Sequence, residues 1–174
     1  MSQLKVNSIV PAGGLPSGAY GGVIQVVTGV KTDKFSSSTG GSFLDIGLSA
    51  TITPQSNSSN ILVFVSINVA GNDNGLRLMT GLFRGSTQIF RGDASGNRTR
   101  CSWQGVGTHN NAQHSVNHTF VDTGISTTSA TTYSVKVFNE AQGYEIYVNA
   151  SNTDGNTSTH GRSASSITLM ELGA

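Results

Sequence analysis

Apolar and polar residues alternate along most of this chain, and the clearest case is Ile61 to Gly71, read I-L-V-F-V-S-I-N-V-A-G. Ile61, Val63, Val65, Ile67 and Val69 take every second position, which on an extended strand places them on one face. The opposite face begins with Leu62 and Phe64 and turns polar at Ser66 and Asn68. One end of this strand should be covered on both sides, as at the centre of a sandwich. Val23 to Val30 is mostly apolar and ends in the polar, Ser-rich stretch Lys31 to Ser42. Leu44, Ile46, Leu48, Ala50 and Ile52 alternate with polar or small residues until Pro54 stops the strand. Leu76, Leu78, Thr80 and Leu82 lead through Gly85 and Ser86 to Ile89 and Phe90, which predicts a hairpin. Val116, His118 and Phe120 mark a further strand, as do Tyr133, Val135 and Val137, then Tyr144, Ile146 and Val148, and finally Ser165 to Leu172 with Ile167 and Leu169 on one side.

Short strands joined by turn residues, with no helical period, predict an all-β protein: an antiparallel β-sandwich, and a jelly roll before a closed barrel. Residues 1–22 differ from the rest. Leu4, Val6 and Ile9 form a brief apolar alternation, followed by P-A-G-G-L-P-S-G-A-Y-G-G. Pro11 and Pro16 among glycines do not suit a core strand. The chain therefore divides into an extended N-terminal arm, residues 1–22, and a sandwich domain, residues 23–174. The arm's candidate attachment residues are Leu4, Val6, Ile9, Pro11, Leu15, Pro16 and Tyr20.

Several strands also carry large apolar residues on the side that should meet water: Leu62 and Phe64, Met79 and Phe83, Met170 and Leu172. A second apolar face on a soluble chain is expected to be covered by copies of itself, and a homotrimer is the predicted assembly.

Composition narrows the functional classes. At 174 residues and 18.0 kDa the chain suits one domain. Charged residues are 11% and the formal net charge is +1, so neither a basic field for nucleic acid nor a polybasic stretch for an anionic membrane is expected. Twenty-two glycines favour turns over helices. Cys101 stands alone and cannot form an internal disulfide. The N-terminus lacks a run of signal-peptide length, and no stretch approaches the roughly 20 apolar residues of a membrane span, so synthesis in a cytoplasm without membrane insertion is expected.

No reaction is legible in the residues. His114 and His118 are four apart, which on a strand separates same-face side chains by about 13 Å, too far to share one metal ion. The carboxylates are isolated along the chain, G-x-S-x-G is absent, and the glycine doublets do not open a helix after a strand. The sequence predicts neither an enzyme nor a cofactor or metal site. Asn-x-Ser/Thr patterns, such as Asn149-Ala150-Ser151, are read as coincidences in an Asn- and Ser-rich chain. The remaining candidates are polar loops, represented by Asn72, Asp73, Asn74, Arg98, His109, Asn110, Asp154 and His160. Such loops either bind a carbohydrate or serve as ordinary solvent caps of a sandwich.

The opening L-K-V-N-S-I-V-P, the Gly/Pro/Ser arm, V-I-Q-V-V-T-G-V-K-T, L-S-A-T-I-T-P-Q-S-N-S-S-N-I-L-V-F-V-S-I-N-V and the terminal I-T-L-M-E-L resemble small jelly-roll structural proteins of tailed bacteriophages, especially those of marine bacteria and cyanobacteria. The resemblance implies a trimer similar to C1q or tumour-necrosis-factor heads, attached to other virion proteins by its N-terminal segment. It implies a virion protein made in the host cytoplasm, serving as a tail-fibre or host-adhesion module whose loops meet a host-surface glycan, or alternatively as a capsid decoration or head-fibre protein. It carries no catalytic residues. Gly92 to Gln113 departs from the family pattern.

Overall fold

A computed structural model describes residues 22–106 and 112–173, and within them the fold is all β. The strands are β1 (Val23–Lys31), β2 (Phe35–Ser37), β3 (Phe43–Ile52), β4 (Asn60–Gly71), β5 (Arg77–Arg84), β6 (Thr87–Ile89), β7 (Trp103–Val106), β8 (His114–Asp122), β9 (Thr131–Asn139), β10 (Ile146–Val148) and β11 (Ser165–Leu172). All pairings between them are antiparallel. Ile61, Val63, Val65, Ile67 and Val69 are buried as the alternation predicts, and β4 is flanked on both edges. β8 takes one edge of β4, while β11 and β10 share the other. β1 lies outside β11, and β2 outside β10.

The second sheet runs β3, β9, β5, with β6 and β7 sharing the far edge of β5. Collinear pairs counted as one line, each sheet is four lines wide. The chain changes sheet from β2 to β3, β3 to β4, β4 to β5, β7 to β8, β8 to β9 and β9 to β10. That is the winding of a jelly roll, as expected. The core lies between the sheets, built from Ile61, Val63, Ile67 and Val69 of β4 and Ile167 and Leu169 of β11, against Leu48 and Ile52 of β3, Leu78 and Leu82 of β5 and Tyr133, Val135 and Val137 of β9.

The predicted hairpin is β5–β6, turning at Gly85 with φ +57°. Two local readings change. Phe35–Ser37 is a short strand within the polar, Ser-rich stretch. Tyr144 lies ahead of β10 and is exposed.

Both ends of the described fold emerge at one pole, where the Gly173 amide donates to the Gly22 carbonyl at 3.0 Å. Residues 53–59, 85–86 and 123–130 connect strands at that pole. Residues 38–42, 72–76 and 140–145 turn at the opposite one. The arm residues Leu4 to Tyr20 lie outside the described residues.

His118 joins the two sheets. It is 6% exposed, with Nε2 2.8 Å from the Thr80 hydroxyl of β5. Burial pushes its pKa below the usual imidazole value. The unfolded chain therefore takes up a proton at about pH 6.5 that the folded chain resists, so stability falls as pH drops below that value. Unfolding midpoints should fall more steeply from pH 7 to 5 in the native protein than in His118→Phe. Equal slopes would refute this.

Candidate functional site

The outer face of the β1–β11–β4–β8 sheet is apolar near the pole of the termini. Register aligns Val26 of β1, Met170 of β11, Leu62 of β4 and Val121 of β8 in one row. The next row toward the opposite pole is Thr28, Thr168, Phe64 and Thr119. Val26 is 53% exposed, Val121 42% and Phe64 39%, while Leu62, Met170 and Leu172 are half-buried. The other half of this face is covered by residues 149–164. Asn68 donates to the Ala164 carbonyl, the Tyr147 hydroxyl reaches Asn152, and Ala70 and Tyr147 are buried.

Asn149 anchors that covering loop. It is buried at φ +61°, donates to the Lys31 and Asp33 carbonyls and accepts from the Ser165 hydroxyl. Its side chain is fully engaged, which agrees with reading its Asn-x-Ser pattern as a coincidence.

Met79 and Phe83 do not belong with Leu62 and Met170. They are 7% and 8% exposed within a single chain. Phe43 packs edge-on against Phe83 at 5.4 Å and against Phe138 at 5.3 Å, and the Lys136 ammonium lies 4.8 Å from the centre of the Phe83 ring. Gly81 leaves the room this packing needs, since a Cβ there would sit 2.8 Å from Phe43 Cε1. This second outer face is covered by its own side chains, which corrects the expectation that both residues meet a neighbouring copy.

The predicted loop residues separate into distinct places. Asp154 and His160 come together on the loop covering the first sheet. Arg162 grips Asp154 through Nε and Nη2 at 2.7 and 2.6 Å, Lys34 approaches at 3.1 Å, and His160 Nδ1 accepts from the Gly155 amide at 2.8 Å. Arg162 first, then Lys34, holds the Asp154 carboxyl below the usual carboxylate range. Asp154, Gly155, His160 and Arg162 line a depression of about 280 Å³.

Asn72, Asp73 and Asn74 form the turn at the pole away from the termini. Asn72 Oδ1 accepts from the Glu145 amide and Asp73 Oδ1 from the Gly75 amide, so both side chains serve the turn itself. Arg98 lies on the side loop between β6 and β7. His109 and Asn110 lie outside the described residues.

His118 is engaged by Thr80, and the ring of His114 lies 6.2 Å from that of Trp103. Among the described residues no three His, Cys, Asp or Glu side chains gather as a metal site, and no helix is long and apolar enough to cross a membrane. Burial pushes the Cys101 thiol up, outweighing its bond with the Trp103 backbone.

No family model and no curated protein matches the sequence. Among solved structures, a chain in the structure of infectious bursal disease virus Gt strain aligns over 85% of this chain and 40% of its own length, with 14% identity and a TM-score of 0.46. A chain in the structure of the Gx strain of the same virus aligns over 87% of this chain and 37% of its own, at 14% identity and a TM-score of 0.45. This chain thus spans less than half the length of either of those chains.

One feature not foreseen from the sequence is a depression of about 500 Å³ at the pole of the termini, lined by Arg84, Gly85, Gly124 to Thr127 and Ala130 to Thr132. It lies over Asp122, whose oxygens are taken by Arg84, Tyr133 and the Gly124 amide. The predicted candidate Arg98 shares the loop between β6 and β7 with Arg91 and Arg100, so three arginines fall within ten residues.

Proposed function

We propose that this chain is a non-enzymatic structural module of a bacteriophage particle, a homotrimer tethered by residues 1–22 and acting in host adhesion. The observation that supports it best is the uncovered row Val26, Met170, Leu62 and Val121 on a jelly roll whose two ends leave from one pole. Fully burying one such side chain contributes about 1.5–3 kcal/mol, so a row of them repeated in each copy can offset the ordering cost of association. A tether leaving beside Gly173 would hold that pole to the particle and turn residues 72–76 and 140–145 outward.

Light scattering after size-exclusion chromatography should give three times the chain mass at micromolar concentration. Leu62→Asp/Met170→Asp should give a folded monomer. A native monomer would overturn the assembly. A chain lacking residues 2–22 should remain a folded trimer and fail to enter particles. Occupancy confined to the capsid, without binding of the isolated protein to host cells, would move the proposal to a shell decoration.

A further inference from the structure

The net charge of +1 conceals an uneven pairing of charges. Lys31 pairs with Asp33, Arg77 with Glu140, Arg84 with Asp122, and both Lys34 and Arg162 with Asp154. Lys136 lies over the Phe83 ring. The remaining described cations, Arg91, Arg98 and Arg100, have no carboxylate within ion-pair distance, and all three sit on one loop, residues 90–102. All nine Asp and Glu residues fall among the described residues, so residues 1–21 and 107–111 hold no acidic side chain that could neutralise the loop.

The loop is braced at its neck. The Gly92 amide donates to the Cys101 carbonyl at 3.2 Å, the Ser102 hydroxyl to the Phe90 carbonyl at 2.7 Å, and Gln88 Nε2 to the Arg100 carbonyl at 2.9 Å. Arg100 uses Nε on the Gly92 carbonyl at 2.6 Å, and Arg98 uses Nη1 on Ser95. A guanidinium carries five N–H donors, so both are oriented by the loop with most of their donors unspent. Arg91 is exposed, as is Asp93, the loop's one acid.

At the neck Phe90 adopts φ +46°, a conformation that costs a bulky residue about 1–3 kcal/mol. The residue is 37% exposed, and its ring packs 5.0 Å from Phe120 and 5.9 Å from His118. Guanidiniums without a carboxylate partner, the partly exposed Phe90, and Ser95, Asn97 and Thr99 stand together on one segment.

We propose that the 90–102 loop binds an acidic polysaccharide, its arginines taking carboxylate, sulfate or phosphate groups and Phe90 the apolar face of a sugar ring. Three cations with an interposed Asp93 suit a sparsely charged sugar chain better than duplex DNA, which presents one charge per about 1.7 Å and favours binders with many phosphate contacts. The assignment rests on the adhesion reading and names its ligand class.

The test is direct binding of the full-length protein to a polyuronate, a sulfated dextran, neutral dextran and duplex DNA, from low to moderate salt. Both acidic polymers or one of them should bind, which identifies the preferred oxyanion, and neutral dextran should not. Arg91→Ala/Arg98→Ala/Arg100→Ala should weaken binding by about tenfold or more, and each arginine removed should flatten the log–log salt slope by up to about one. Arg91→Ala alone removes no intrachain bond, so its loss of affinity cannot reflect misfolding. Asp93→Asn should tighten binding. Equal binding of neutral and acidic dextrans, unchanged affinity in both arginine variants, or tighter binding to DNA would overturn the proposal. Polymer binding without host-cell binding would defeat the adhesion reading alone, and cell binding that survives the triple substitution would defeat the loop assignment alone.

Discussion

Asp122→Ala is expected to destabilise the folded chain by about 3 kcal/mol, the lower end of the range for breaking a buried ion pair because Arg84 is partly solvated. Asp122 is 4% exposed near the end of β8. It accepts from Arg84 Nη1 of β5 at 2.8 and 2.7 Å, from the Tyr133 hydroxyl of β9 at 2.7 Å and from the Gly124 amide at 3.0 Å. One carboxylate thus ties one sheet to two strands of the other. Burial first, and then the bond to Asp122, drives the Tyr133 phenol well above its ordinary range, so its proton stays in place as a donor. Removing the carboxylate leaves a half-covered guanidinium and a fully buried hydroxyl without their acceptor. At this chain length the loss corresponds to a melting temperature lower by about 6–12 °C. Calorimetry of the variant checks it, and a loss below about 1 kcal/mol would show that water replaces the carboxylate freely. Asp122→Ala/Arg84→Leu should recover part of the loss, because the stranded cation goes with its partner.

Gly29→Ala should cost a similar amount, about 3 kcal/mol, for a steric reason. β1 and β3 belong to different sheets and close against each other at this corner. A Cβ on Gly29 would lie 1.9 Å from the Ser49 carbonyl oxygen and 2.8 Å from its carbon. Backbone cannot swing aside as a side chain can, so the sheets must separate locally, which also disturbs the bond from Gln25 Nε2 to the Thr53 carbonyl. Gly81→Ala is the informative contrast, since its nearest obstacles are the rings of Phe43 and Phe83 and the amide of Gln88, which can pivot. Urea titration should place Gly29→Ala clearly below Gly81→Ala. The reverse order would mean the corner opens easily.

The strand pattern was legible because a sheet with one buried face imposes a period of two, and β4, β11 and the β5–β6 hairpin follow it closely. Phe35–Ser37 was not, because three residues show no period. Leu62 with Met170 and Met79 with Phe83 look alike in sequence. What separates them is Phe43 and Lys136, which neighbouring strands bring against Phe83, and Phe138, which packs on Phe43 and stands opposite Met79 in register. The Asp122 cluster gathers residues 38 and 11 positions away, so no local pattern announces it. The unpaired state of Arg91, Arg98 and Arg100 is likewise a fact of folding, since the overall charge is the same whether cations are neutralised in place or left bare.

The contact between Gly22 and Gly173 has a practical corollary. With its two ends within hydrogen-bonding distance, the sandwich can be relinked by a short spacer and opened elsewhere without redrawing its strand order. A passenger domain joined directly at Gly22 or Gly173 would depart from the same side, leaving the far turns unobstructed.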